Sequence, residues 1–118
     1  MNQRVLKRLH DALDSAEAVA SFISGRTLDE YLEDRYLRSA VERELEKTGE
    51  ALFVARSDDP ALISLLPDLH QIIALRHRIV HGYDKLIDAE IWSIAEEEVP
   101  RLAIALRQIV SQQGVSNS

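Results

Sequence analysis

The sequence predicts an all-α fold, an up-and-down bundle of four to five helices. Hydrophobic residues make up 46% of the chain, yet only 5% of it is aromatic, and it has four glycines and three prolines. Apolar residues recur at steps of three and four, which is the period of an amphipathic helix. The sequence has no sustained alternation of apolar and polar residues and no Asn-Gly turn, so it predicts no β-hairpin.

Length and composition indicate one domain. The chain has 118 residues, of which we assign 1–112 to a single helical domain and 113–118 to a flexible polar tail. The absence of cysteine excludes disulfides and thiolate metal sites. Without a secretion signal or a membrane-spanning segment, a cytoplasmic protein with no membrane partner is expected. The net charge of −6 disfavours general coating of nucleic acid.

Two helices are predicted in the first half. The first spans residues 3–24 and stops at Gly25. Thr27 and Glu30 then have the spacing of a capping box, which opens a second helix that runs to about Arg56. The apolar positions of this second helix predict one buried stripe: Leu37, Val41, Leu45, Thr48, Leu52 and Ala55.

Prolines and a glycine divide the second half. Asp59 before Pro60 predicts one short helical turn. Pro67 is expected to open a third helix over residues 67–81, which Gly82 ends.

A last helix follows that glycine. Asp88 is its predicted N-cap. Pro100 lies within the helix and should kink or split it, because proline lacks an N–H and its ring clashes with the preceding turn.

Arg76 stands in an apolar stripe of the third helix. Its neighbours at three, four and seven positions are all apolar or aromatic. A guanidinium keeps its proton, so burying it unpaired is costly. Arg76 must therefore pair with a carboxylate, line a wet cleft, or face a polar pocket at an oligomer interface. Glu42 and Glu46 are candidate partners, since they lie on a polar seam of the second helix.

Two histidines, His77 and His81, lie close to this arginine in the sequence. His77 and His81 have the i, i+4 spacing that can chelate a metal ion, but no third ligand lies on their stripe, so no metal is expected. Arg76 and His81 are about 140° apart on an ideal helix. They converge on one ligand only if the helix end distorts near Gly82 or if two chains meet there. This requirement favours a site at a helix terminus, shared across a dimer two-fold, with Tyr83 just past the cleft.

The stretch "RHRIVHGY" has the pattern R-x4-H-x-Y at Arg76, His81 and Tyr83. Together with its flanks, "YLRSAVERELEKTGEAL" and "IVHGYDKLIDAEIWSIAEEEVPRL", it resembles the HepT family of HEPN-domain proteins over nearly the whole chain. Asparagine commonly follows the arginine in HepT proteins, whereas His77 stands here, so its role is open between phosphate binding and a structural hydrogen bond.

The resemblance implies a homodimer whose two motifs face each other in a cleft. Catalytic members are ribonuclease toxins that need no metal or other cofactor. Their usual partner is MntA, a minimal nucleotidyltransferase that acts as antitoxin by transferring AMP to the motif tyrosine, here Tyr83.

The motif residues suit cleavage of RNA by its own 2′-hydroxyl. That reaction needs a base, an acid and positive charge on the phosphorane. One His81 from each chain can serve as base and acid, because the ordinary pKa of histidine is about 6.5. Arg76 supplies a permanent phosphate clamp, and Arg78 is expected to guide the RNA backbone from the cleft edge.

Two other functions share this motif. The chain could be a non-catalytic partner that presents a nucleotide or substrate to a nucleotidyltransferase, or it could be a purely structural dimer. The complete arginine–histidine pair favours the nuclease, because an adaptor does not need both groups.

Overall fold

A computed structural model describes residues 1–82 and 87–116, and this part of the chain is helical, with no strand. It confirms the all-α bundle. The α-helices are α1 (Gln3–Ile23), α2 (Leu28–Glu33), α3 (Arg35–Asp58), α4 (Leu69–Val80), α5 (Asp88–Ser93) and α6 (Val99–Ser116). Helix α1 packs against α3 and α6, and α3 packs in turn against α4. None of the described helices is long and apolar enough to cross a bilayer.

The predicted end of α1 and the predicted start of α2 are confirmed. Helix α1 ends before Gly25, whose φ of +73° is readily adopted only by glycine. The capping box is complete, because Glu30 N–H donates to Thr27 Oγ1 at 3.2 Å and Thr27 N–H donates to Glu30 Oε1 at 2.9 Å. The chain therefore leaves one helix and enters the next within the few residues between these two caps.

The continuous helix predicted from Thr27 to Arg56 is wrong, because the chain breaks at Asp34. That residue has φ −109° and ψ 97°, and its carboxylate accepts a hydrogen bond from Leu37 N–H at 3.0 Å. This backbone bond lowers the pKa of Asp34. Asp34 thus acts as the N-cap of a new helix, a role that an aspartate fills better than the interior of a long helix.

The stripe predicted along α3 forms part of the core. Each of its members is buried, and Thr48 is accommodated because its hydroxyl donates to Glu44 O at 2.8 Å. The same core takes buried residues from the other elements, including Leu9, Val19, Leu62, Ile72, Leu102 and Leu106.

The segment before α4 differs in part from expectation. The short turn is confirmed as a 3₁₀ helix, Pro60–Ser64, capped by Asp59. Pro67 does not open α4, because Asp68 after it has φ +63° and cannot belong to the helix. The guanidinium of Arg101 in α6 holds the Asp68 carboxylate with bonds of 3.1 and 3.2 Å.

The last helical segment corrects the predicted N-cap and shows how the chain accommodates Pro100. Ile87 is the N-cap of α5, while the Asp88 carboxylate lies 3.7 Å from Arg38 Nε. A π-helical turn, Ile94–Glu98, precedes Pro100, and Val99 N–H donates to Ile94 O. Because Pro100 cannot donate and crowds the preceding turn, the helix widens there and is not split. Helix α6 then continues to Ser116, into the segment predicted as a tail.

Tyr31 of α2 is a buried polar residue beside this segment. Its ring lies 5.3 Å from that of Trp92, and its hydroxyl has no hydrogen-bond acceptor among the described residues. Burial raises the pKa of the phenol well above its usual value, and the carboxylates of Glu42 and Asp88 raise it further. The hydroxyl is therefore a net cost to the fold.

Tyr31→Phe should raise the free energy of unfolding by about 1 kcal/mol, because it removes an unsatisfied buried hydroxyl and keeps the ring. Thermal unfolding should show a Tm increase of about 4 °C. Tyr36→Phe is the matched control, since Tyr36 is 90% exposed and should leave the Tm unchanged. A lower Tm for Tyr31→Phe would mean that the hydroxyl contributes a stabilising bond.

Candidate active site

The motif residues lie in the last turns of α4. Arg76, His77 and Arg78 are helical, and His81 is the C-cap, with its N–H donating to His77 O at 3.1 Å. Gly82 follows with φ +60° and ends the helix as predicted. Tyr83, the predicted modification site, lies outside the described residues.

Arg76 pairs with Glu50 of α3. Its Nη2 lies 2.5 Å from Glu50 Oε2, and its side chain is 26% exposed. The sequence predicted Glu42 or Glu46 as the partner of Arg76, and the structure has Glu50 in that place. Glu46 Oε1 instead lies 3.5 Å from Arg43 Nη1. Of the alternatives left open for the guanidinium, the chain uses a carboxylate partner.

Glu42 belongs to a different environment. Burial raises its pKa, the carboxylate of Asp88 raises it further, and Arg38 opposes both effects. It thus faces the α5 side of the bundle, near Tyr31, and not the motif arginine.

Arg76 also lines a cleft of about 470 Å³ between α1 and α3. The lining residues are Arg8, Asp11, Asp14, Ser15, Arg43, Glu46, Lys47, Glu50, Ala51 and Arg76. The positive and negative side chains of this set balance, and neighbouring carboxylates pair with Arg8 at 3.9 Å and with Lys47 at 3.3 Å. The guanidinium therefore stands at a polar cleft in which other charges already compensate each other.

One nitrogen of Arg76 is not satisfied by this pairing. Its Nε is buried and has no hydrogen-bond acceptor in the described part of the chain. This buried Nε–H is an unsatisfied donor, whereas the Nη2 group contacts the exposed Glu50 carboxylate.

His77 and His81 lie together on the outer side of α4. Their ring centroids are 4.2 Å apart with an interplanar angle of 51°, and both residues are exposed. His81 is not among the residues that line the Arg76 cleft. The structure therefore brings the two histidines together, and it does not bring His81 and Arg76 to one cleft on a single chain.

The third histidine of α4 has its own partner. His70 Nδ1 lies 3.1 Å from Arg56 Nη1. In the described ranges, no three side chains of His, Asp or Glu come together as a set of metal ligands.

Arg78 is held by a carboxylate from another element. Its Nη1 and Nη2 donate to Glu90 of α5 at 2.7 and 3.0 Å. This bidentate bond raises the pKa of Arg78 and lowers that of Glu90. It links the end of α4 to the start of α5. Arg78 therefore has a structural role in addition to the contact with RNA that the sequence predicts.

Sequence reasoning missed Glu50, Glu90 and Gly49. The sequence contains many acidic residues that could pair with an arginine, and nothing in it distinguishes Glu50 and Glu90 from the others. Gly49 lies against the Arg76 stem. The sequence contains a signal for it, because a glycine in the middle of a predicted helix often has a packing reason.

The sequence of the chain is similar to those of a known protein family. Residues 12–109 match the family described as "Ribonuclease HepT-like". Two proteins of Methanocaldococcus jannaschii, named as candidate RNases, are similar in sequence. One is 30% identical over 103 residues, which cover 86% of this chain and 94% of the relative. The other is 29% identical over 104 residues, which cover 86% and 84%.

No solved structure matches the chain. The family match nevertheless covers the elements that carry the cleft, from within α1 to α6, and it includes the whole of α4. The chain therefore belongs to the HepT-like ribonuclease family, and its enzyme class is that of an endoribonuclease.

Proposed function

We propose that the protein is a metal-independent endoribonuclease toxin that cleaves RNA by attack of the 2′-hydroxyl on the adjacent phosphorus. The observation that carries the proposal is the position of Arg76: a permanent cation at a polar cleft, on a helix whose end bears two exposed histidines. A phosphodiester needs this kind of group for binding, and its cleavage needs an acid and a base nearby.

Arg76 is the proposed phosphate clamp. Glu50 is 49% exposed, and an ion pair this accessible to water contributes about 1 kcal/mol or less. A phosphate can therefore replace the carboxylate at low cost and take over the charge-assisted hydrogen bond that Nη2 makes to Glu50. In the absence of RNA, Glu50 keeps the guanidinium compensated.

His81 is the proposed acid and base. In the reaction, a base takes the proton of the 2′-hydroxyl, the 2′-oxygen bonds to phosphorus, and the bond from phosphorus to the 5′-oxygen breaks as an acid protonates that oxygen. One His81 from each of two chains fills both roles. His77, 4.2 Å away between ring centroids, is the proposed support for His81.

A homodimer is required by this arrangement, because His81 and Arg76 do not share a cleft on one chain. Light scattering at micromolar concentration should therefore give twice the mass of one chain. A monomer at that concentration would remove the shared site from the mechanism.

Purified protein should cleave RNA in EDTA and leave a 2′,3′-cyclic phosphate and a 5′-hydroxyl. His81→Ala should lower the rate by a factor of about 10²–10⁴, which is typical for the loss of one general acid–base group. Arg76→Ala should also lower it strongly, because the phosphorane loses its cation. Single-turnover cleavage with analysis of the product ends measures both effects.

His70→Ala is the control for the histidine, since His70 lies on the same helix with Arg56 as its partner. Circular dichroism and melting must show that Arg76→Ala is folded, because Glu50 loses its partner in that variant. Wild-type cleavage by His81→Ala, or loss of cleavage in EDTA, would refute the mechanism. An inactive wild-type protein that still binds a nucleotidyltransferase would favour the non-catalytic alternative.

The proposed regulator is a cognate MntA-like nucleotidyltransferase antitoxin that transfers AMP from ATP to Tyr83. Tyr83 follows His81 and Gly82 directly in sequence. An AMP group there adds a bulky nucleotide and a negative charge next to the histidines. It would block the RNA phosphate path through its size and its charge.

Tyr83→Phe should keep cleavage largely intact and should resist silencing by the partner, because it lacks the hydroxyl that accepts AMP. Mass spectrometry after incubation with partner and ATP, together with the ribonuclease assay, checks this. Tyr36→Phe is the control, since Tyr36 is 90% exposed and lies outside the motif. An AMP adduct on another residue, or covalent silencing of Tyr83→Phe, would overturn the assignment.

A further inference from the structure

Gly49 lies in the middle of α3, where it is buried. Glycine is a poor helix former at such a position, because its backbone loses more conformational freedom than that of other residues. Its surroundings supply a reason for it. A Cβ added at Gly49 would overlap Arg76 Cβ and would lie 2.9 Å from Arg76 Cγ and 3.1 Å from Ile72 O.

Two other glycines serve a different purpose. Gly25 and Gly82 have φ values of +73° and +60°, and an added Cβ at either would meet nothing within 4 Å. Glycine is favoured at these two positions because their φ values are positive, whereas Gly49 is favoured because there is no room for a side chain. The space that it leaves is filled by the stem of the motif arginine.

We propose that Gly49 is a positioning residue for Arg76. With no side chain at residue 49, the Arg76 stem can lie directly on the α3 backbone. The guanidinium then reaches Glu50, the next residue of α3, and the cleft between α1 and α3. Gly49 itself contacts neither the cleft nor RNA, and its effect on cleavage rests on the function proposed for Arg76.

An alanine at residue 49 cannot be accommodated by a small shift of a flexible side-chain end. The nearest atom is a Cβ, which is fixed to the α4 backbone. Either α4 must move away from α3, or the Arg76 side chain must turn out of its position. In both cases the guanidinium leaves Glu50 and the buried environment of its Nε.

The first test observes Arg76 directly in Gly49→Ala. The Nε–H resonance of Arg76, assigned with the help of Arg76→Lys, should exchange slowly with solvent in the wild type because the atom is buried. In Gly49→Ala it should shift and lose this protection. Gly25→Ala is the matched control, because it strains a left-handed backbone position without contacting Arg76. It should lower the Tm and leave the resonance unchanged.

The second test uses melting temperatures in two backgrounds. Gly49→Ala should lower the Tm of the wild type, although alanine is the better helix former. In the Arg76→Gly background, which lacks the Cβ that overlaps, the same change should lower the Tm much less. If Gly49→Ala alone does not fold, recovery of a cooperative melt in the double variant still supports the contact, and no recovery overturns it.

Cleavage is measured last. Gly49→Ala should lower kcat/KM by a factor on the order of 10², because a clamp displaced by about 1 Å no longer holds the phosphate in the reactive position. An unshifted Arg76 resonance, or an equal loss of Tm in both backgrounds, would overturn the positioning role. The expected resonance and melting results without ribonuclease activity in the wild type would instead refute the function proposed for the site.

Discussion

The close approach of α4 to α3 at Gly49 is the constraint on which the site depends. Arg76 cannot lose its charge, so its guanidinium must be kept near water or a carboxylate. The chain meets this condition by laying the apolar stem of the side chain on Gly49 and leaving the charged end at Glu50. Helix α4 can therefore carry an arginine within its apolar stripe and still pack on the core.

The same arrangement separates the two halves of the proposed chemistry. Arg76 reaches toward α1 and α3, whereas His77 and His81 remain exposed at the helix end. The bidentate bond between Arg78 and Glu90 fixes that end relative to α5. A single chain therefore presents the proposed clamp and one proposed acid–base histidine, His81, at different places, and the proposed mechanism needs the His81 of a second chain.

Charge balance in the cleft is consistent with an enzyme of restricted targets. The protein carries a net charge of −6, and the cations of the cleft lie beside carboxylates of the same chain. In the proposed mechanism RNA would therefore gain little from general attraction, and it would bind mainly where a phosphate displaces Glu50 from Arg76. An exposed, weak ion pair is suited to this exchange, because it holds the arginine without competing strongly.

Those features of the fold that depend on neighbours in sequence could be predicted from the sequence. The capping box at Thr27 and the buried stripe of α3 were predicted because each is encoded within a few residues. The break at Asp34 was missed because a local cap outweighed an otherwise continuous helical pattern. Asp68 has a left-handed backbone and a carboxylate bound by Arg101, which is distant in sequence, so no local pattern indicates this contact.

The site was predicted less completely than the fold. The motif identified Arg76 and His81, but the wheel of a single helix cannot show which residue of α3 meets the guanidinium. Glu42 and Glu46 were chosen because they share a seam, and Glu50, one turn after Glu46, was overlooked. The Arg76 stem packs on Gly49, the residue before Glu50, and this contact follows from packing between helices.

The central claim is that Arg76 is the phosphate clamp, and the most direct measurement is the salt dependence of RNA binding without cleavage. The His81→Ala protein and a His81→Ala, Arg76→Ala double variant are titrated with one single-stranded RNA over a range of salt concentrations. We predict that the double variant binds RNA more weakly. The slope of the logarithm of its association constant against the logarithm of salt concentration should be smaller in magnitude, by about 0.7 for each phosphate that the protein no longer neutralises. Equal affinity and equal slope for the two proteins would contradict it.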